Sequence, residues 1–188
     1  MKIDLEKRLF VGIRIGFEIK HILSSLKFTI QCSSDIIKWI PLNNIHLTLS
    51  FLGKIPIKNI PSIIQSLESV SVINHFKLII EGTGFFPSVS SPKVLWLGVG
   101  DGINELSSLH SLVQQSIREF TETYRKTKFI PHITIAKVRR SYPKIDVLPF
   151  LNIVYSPIEL NVSSICLYES QLLSEGAKYI LLREYLFN

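Results

Sequence analysis

Residues 45–51 read Ile-His-Leu-Thr-Leu-Ser-Phe, and 86 residues after His46 the chain reads His-Ile-Thr-Ile at 132–135. The first stretch alternates apolar and polar side chains and stops at Gly53, which is the pattern of a half-buried strand. Successive side chains of a strand point to opposite faces. His46 and Thr48 therefore share one face, and Ile45, Leu47 and Leu49 the other. The second copy divides the same way, His132 with Thr134 and Ile133 with Ile135. Each strand carries an apolar face for packing and a polar face with an imidazole and a hydroxyl roughly 7 Å apart. A strand-and-helix segment precedes each copy, which hints at a duplication.

Outward from these strands, RLFVGIRI at 8–15 reads as a strand. Phe17, Ile19, Ile22, Leu23 and Leu26 fall at helical spacing over 17–27. Ile60, Ile63, Ile64, Leu67 and Val70 do the same over 60–70, with Pro61 suited to a first turn. Strands are expected at 76–81 and 93–99, flanking GTGFFPSVSSP, a loop by its turn residues. Leu106, Leu109, Val113, Ile117 and Phe120 mark a long helix over 103–124, followed by a strand at 130–136. Pro143, Pro149 and Pro157 make 139–157 an irregular excursion, and strands at 159–168 and 178–184 close the chain. This order is mixed α+β and lacks the regular repeat of a doubly wound sheet. No composition break marks a linker, so residues 1–188 are read as one domain.

A length of 188 residues allows one substantial domain. With 46% apolar and 19% charged residues, nine Gly and nine Pro, disordered and collagen-like chains are excluded. The net charge of +6 favours an anionic partner such as nucleic acid or a phosphorylated metabolite. Cys32 and Cys166 form neither a disulfide framework nor a zinc spacing, so a reduced compartment is the default. The opening MKIDLEKR carries acids before any apolar run, a poor signal peptide. No stretch reaches the ~18 apolar residues of a membrane span. A soluble, cytoplasmic protein is expected.

Two His-x-Thr strands across a cleft would present two imidazoles and two hydroxyls to one ligand. Histidine titrates near neutrality, so one ring can accept a proton while the other donates one. Threonine hydroxyls can donate to non-bridging phosphoryl oxygens. An in-line displacement at phosphorus needs a base behind it and an acid at the leaving oxygen, and opposed histidines supply both. There is no HExxH, and no acid stands near either His-x-Thr, so a His/carboxylate metal cluster is disfavoured. A lone histidine in a strand is ordinarily structural; the pairing, the matched alternation and Pro131 before the second copy favour catalysis.

These features place the chain by resemblance. It resembles the two-histidine (2H) phosphoesterases, and within them the RNA 2',3'-cyclic phosphodiesterase branch, also called the LigT or 2'-5' RNA ligase family. The matching pieces are Arg8-Leu9-Phe10, HLTLSFLG at 46–53, GTGFFP at 82–87, PKVLWLGV at 92–99, PHITIAK at 131–137 and LYES at 167–170, ahead of Gly176 and Tyr179. The resemblance implies two lobes, each an antiparallel sheet with outer helices, with the His-x-Thr strands facing a central cleft. It implies hydrolysis of RNA 2',3'-cyclic phosphate ends to 2'-phosphates, with 2'-5' ligation as a related reverse reaction. No metal or nucleotide cofactor is implied, and a monomer is expected. On matching positions, His46 is the general acid at the departing 3' oxygen, His132 the general base for water, and Thr48 and Thr134 hold phosphate oxygens.

One departure is Lys137, where the family often has arginine; lysine keeps the charge but loses the bidentate fork. At an odd offset from His132 a continuous strand would turn it away, so a bulge or strand end must intervene if it binds phosphate. Arg139 and Arg140 could substitute, and a solvated basic turn is the plain reading of all three. Phe10 and Phe129 could stack on bases, against core packing as their plain reading. Trp96 reads as core. Lys126, Lys128 and Lys144 add to a basic path for RNA. His21, His75 and His110 lack the motif and read as structural. Other 2H substrates (2'-5' oligoadenylate, cyclic ADP-ribose phosphate) and a non-catalytic RNA- or nucleotide-binding module are the alternatives.

Overall fold

Strand β1 (Glu6–Arg14) leads through a 3-10 turn at Phe17–Ile19 into helix α1 (Lys20–Phe28). Next come β2 (Ile37–Trp39), β3 (His46–Pro56) and α2 (Ile60–Leu67), with Pro61 in its first turn. The chain continues through β4 (Phe76–Ser88), β5 (Ser91–Val99), α3 (Ile103–Ser116) and β6 (His132–Val138). A short α4 (Leu148–Leu151) precedes β7 (Ile158–Val162), β8 (Ser164–Leu173) and β9 (Gly176–Leu186). The computed structural model describes residues 5–30, 36–88, 90–121, 128–139, 145–174 and 176–188. Cys32, Lys126, Arg140 and Lys144 lie outside these residues.

The expectations for the long helix and for two strand regions change: α3 ends at Ser116, with a separate 3-10 turn at Arg118–Phe120. GTGFFPSVSSP is mostly not a loop: β4 continues to Ser88 and pairs with β5 from Thr83↔Leu97 to Ser88↔Ser91. Gly82, at φ 70°, sits in the slip between the Ile80 and Thr83 pairings, so turn-type residues serve as a bulge inside a long hairpin. The strand expected at 159–168 is two strands. β7 pairs with β4 and β8 with β1, and the alternation Ile158, Leu160, Val162 shows no break before the chain crosses the sheet. β2 was not legible, because three residues are too few to show a period.

All pairings among the described residues are antiparallel, and their nine strands form one sheet in the order β7-β4-β5-β6-β3-β1-β8-β9, with β2 against the far end of β6. The two halves meet at one recorded pair, Leu47 of β3 opposite Ile133 of β6. Both are fully buried, as are Ile63, Leu67, Leu106, Leu109 and Val113 of α2 and α3. Burying each such side chain contributes about 1.5–3 kcal/mol. Helix α3 is tied to β3 by Gln114 Nε2 donating to Ser50 Oγ at 2.7 Å. The helices thus cover the apolar faces of the central strands, and the polar faces are left for a cavity.

Candidate active site

A pair of residues, Leu47 and Ile133, fixes the site. Their neighbours on either side point to the opposite face, so His46, Thr48, His132 and Thr134 come together. All four line one cavity of about 360 Å³. Antiparallel register directs His46 toward Thr134 and Thr48 toward His132, so each imidazole faces the other motif's hydroxyl.

Both rings are pinned in the same way. His46 Nδ1 lies 2.8 Å from the Asn44 carbonyl, and His132 Nδ1 lies 2.8 Å from the Ile130 carbonyl. A carbonyl only accepts, so each Nδ1 carries a proton and donates it, leaving Nε2 to act toward the cavity. Each ring also leans on two aromatics. Phe10 (centroids 4.7 Å) and Tyr179 (5.1 Å, edge-on) hold His46. Phe86 (5.0 Å, edge-on) and Trp96 (6.3 Å) hold His132. Two glycines permit this. Gly12 faces Thr48 across the β1–β3 ladder, where a Cβ would meet the Leu47 carbonyl at 2.8 Å. Gly84 lies under the Trp96 ring, where a Cβ would overlap it at 2.1 Å.

Lys137 also reaches the cavity, by a bulge. Between the β5 pairings Leu95↔Ala136 and Trp96↔Thr134, β6 holds one extra residue, and Ile135 and Ala136 are both buried. That extra residue inverts the alternation, so Lys137 returns to the face of His132 and Thr134. β3 does the same. Its pairing with β1 skips from Thr48 to Ser50, Leu49 and Ser50 are both buried, and Phe51 emerges on the cavity side. Phe51 and Lys137 thus occupy corresponding places, each five residues after its histidine. Phe51 is 75% exposed.

The cavity is electropositive: Arg8, Lys137 and the two histidines line it with no Asp or Glu among the described lining residues. Burial pushes the His46 pKa below its ordinary value, and the Lys137 and His132 charges push it further the same way. Burial thus favours the neutral form of the His46 ring in the free cleft. No group of three or more His, Cys, Asp or Glu among the described residues could hold a metal ion.

The remaining sequence candidates separate. Phe10 lines the cavity but is 2% exposed, its ring covered by His46 and by Tyr168 at 5.1 Å, so it supports the histidine rather than offering a face. Phe129 is not brought to the cavity, and its ring stacks on His110 at 4.1 Å. Arg139 lies beyond β6, exposed, its amide bonded to the Ile36 carbonyl, and does not line the cavity. Trp96 combines the expected packing with direct support of His132. Sequence reading passed over Phe51, whose signal was available: in HLTLSF and HITIAK it stands where Lys137 stands. Asn44 was missed because its contribution is a backbone carbonyl.

The match to a family model described as the 2'-5' RNA ligase superfamily spans residues 30–172. A protein of Aquifex aeolicus named RNA 2',3'-cyclic phosphodiesterase is 31% identical over 183 residues, covering 95% of this chain and 96% of its own. One of Thermotoga maritima with the same name is 30% identical, covering 94% of each. The crystal structure of TT0787 of Thermus thermophilus superposes with a TM-score of 0.79 over 96% of this chain and 97% of its own, at 22% identity, a likeness of fold. The family model, the relatives across nearly their whole length and the curled antiparallel sheet agree: this chain belongs to the 2'-5' RNA ligase superfamily.

Proposed function

We propose that this chain, acting as a single domain over residues 1–188, hydrolyses 2',3'-cyclic phosphate ends of RNA to 2'-phosphates, with 2'-5' ligation as the related reverse reaction. The observation that carries the reading is the pair of imidazoles, each with Nδ1 committed to a carbonyl two residues back, sharing with two threonine hydroxyls one cavity that has no carboxylate among its described lining residues. The relatives' shared name supports the same substrate.

In this mechanism a water attacks the phosphorus in line with the bond to the 3' oxygen. His132 Nε2 takes the water's proton as the P–O bond forms. His46 Nε2–H gives a proton to the 3' oxygen as its bond to phosphorus breaks, leaving the phosphate on the 2' oxygen. Thr48 and Thr134 hydroxyls donate to the non-bridging oxygens, and Lys137 offsets their charge. The anion entering between the rings stabilises an imidazolium that the empty cleft disfavours at His46. The active form holds one proton between two rings, so one ring is the acid and the other the base. Phe51 offers an open aromatic face to the base of the end nucleotide. The chain is read as a cytoplasmic monomer, in keeping with Cys166, buried and free. Among the described residues no helix is long and apolar enough to cross a membrane.

The test is an oligonucleotide ending in a 2',3'-cyclic phosphate, incubated with the protein and EDTA, with the product position assigned. A 2'-phosphate is expected. His46→Ala and His132→Ala should each lower the rate by about 10²- to 10⁴-fold. No turnover, a 3'-phosphate product, or near-full activity in both variants would overturn the proposal.

A further inference from the structure

The cavity holds one more cation than a single phosphodiester needs. β1 carries no extra residue of its own, since both slips in its ladder fall on β3 at Leu49 and Leu52. Arg8 therefore shares the cleft side of β1 with Phe10, whose ring meets His46. Arg8 lines the cavity and is exposed. The neighbouring carboxylates are engaged elsewhere: Glu6 lies 3.7 Å from Lys54 Nζ, and Glu169 lies 2.6 Å from Lys7 Nζ. Among the described residues Arg8 forms no side-chain hydrogen bond and no ion pair.

Its position is the informative part. Gly12, four residues on, is the β1 residue opposite Thr48, which puts the level of Arg8 about 13 Å along the strand from that motif. Phe51, opposite Phe10, stands between. A phosphorus held by His46 and His132 leaves the Arg8 fork to another anion. The order along the floor is phosphate site, open aromatic ring, guanidinium. Ser170, one residue past the Leu9↔Glu169 pair, lines the same end with a hydroxyl.

We propose that Arg8, with Ser170, binds the internucleotide phosphate on the 5' side of the cyclic end, so that the cavity favours an RNA end over a cyclic mononucleotide. A guanidinium offers that phosphate two parallel donors. The inference rests on the phosphodiesterase reading above and adds the residues that recognise the chain beyond the cyclic end.

The experiment compares kcat/KM for three substrates: 2',3'-cyclic AMP with a free 5' hydroxyl, the same nucleotide 5'-phosphorylated, and the dinucleotide ApA with a 2',3'-cyclic end. The wild type should favour the dinucleotide, and Arg8→Ala should lower the dinucleotide-to-mononucleotide ratio about tenfold or more. Arg8→Lys should recover part of it. A gain from the 5'-phosphate alone would identify the anion as the recognised group, whereas a gain only from the dinucleotide would assign it to the diester; either supports the subsite. A ratio unchanged by Arg8→Ala overturns it. Calorimetric affinities for the mononucleotide and dinucleotide 2'-phosphates give the same ratio without turnover. If no cyclic substrate is hydrolysed, the phosphodiesterase reading fails while the binding ratio still decides the role of Arg8.

Discussion

Replacing Gly12 by alanine tests whether the seat of His46 is built as described. The added Cβ would lie 2.8 Å from the Leu47 carbonyl oxygen and 3.5 Å from His46 Cδ2. Ordinary contact begins at 3.4 Å, so the strands must part by about 0.6 Å (3.4 − 2.8). Neither neighbour gives easily, because Leu47 is locked opposite Ile133 and the His46 ring is tied to the Asn44 carbonyl. Overpacking of this kind costs about 1–3 kcal/mol, and each kcal/mol lowers Tm by about 2–4 °C in a chain this long. On the mechanism proposed above, the same shift would move His46 and Thr48 away from the phosphorus they are proposed to hold. A 1 Å misplacement costs on the order of 10²-fold in rate, so a loss near tenfold in kcat is expected. The assay pairs thermal unfolding with turnover of a cyclic-ended oligonucleotide at a temperature where both proteins are folded. Gly82→Ala is the control: its φ of 70° makes a side chain strained, but a Cβ there would meet nothing within 4 Å and Gly82 is not among the residues lining the cavity. It should lose about 1–2 kcal/mol with kcat unchanged. Wild-type kcat in Gly12→Ala would refute the reasoning.

The pH profile of kcat/KM should be a bell whose limbs belong to the coupled pair of rings. Its acid limb should lie below the ordinary histidine value of about 6.5, because a second proton must enter a buried ring facing Lys137 and His132. Lys137→Gln removes one opposing charge, so that limb should move to higher pH; no movement would show that Lys137 does not act on His46. Glu169 carries a separate acid sensitivity. Burial alone would raise its pKa, but hydrogen bonds from Lys7 and Gln171 outweigh that and hold it low. The folded value lies below the unfolded one, so the stabilisation is present at neutral pH and is lost as pH falls through the folded value. Glu169→Gln should lower Tm at pH 7, and the gap from wild type should close on acidification; a constant gap would assign the loss to packing.

The alternation in HLTL and HITI was enough to set each histidine beside its threonine on a polar face, and to send Leu47 and Ile133 into the core. Local side-chain periodicity is a property of the backbone itself, so these assignments needed no partner strand. The helical stripes of α2 and α3 were legible for the same reason. The face of Lys137 and Phe51 was not, because it depends on a bulge, and bulges arise from how a strand registers against its neighbour. One inserted residue reverses the parity of everything after it. The division of 159–168 into β7 and β8 was equally invisible, since an apolar alternation reads the same whether or not the chain crosses the sheet within it. Sequence thus determined which atoms could hold a phosphate. Tertiary pairing decided that both imidazoles share one cavity, which nitrogen each one offers, and which cations join them.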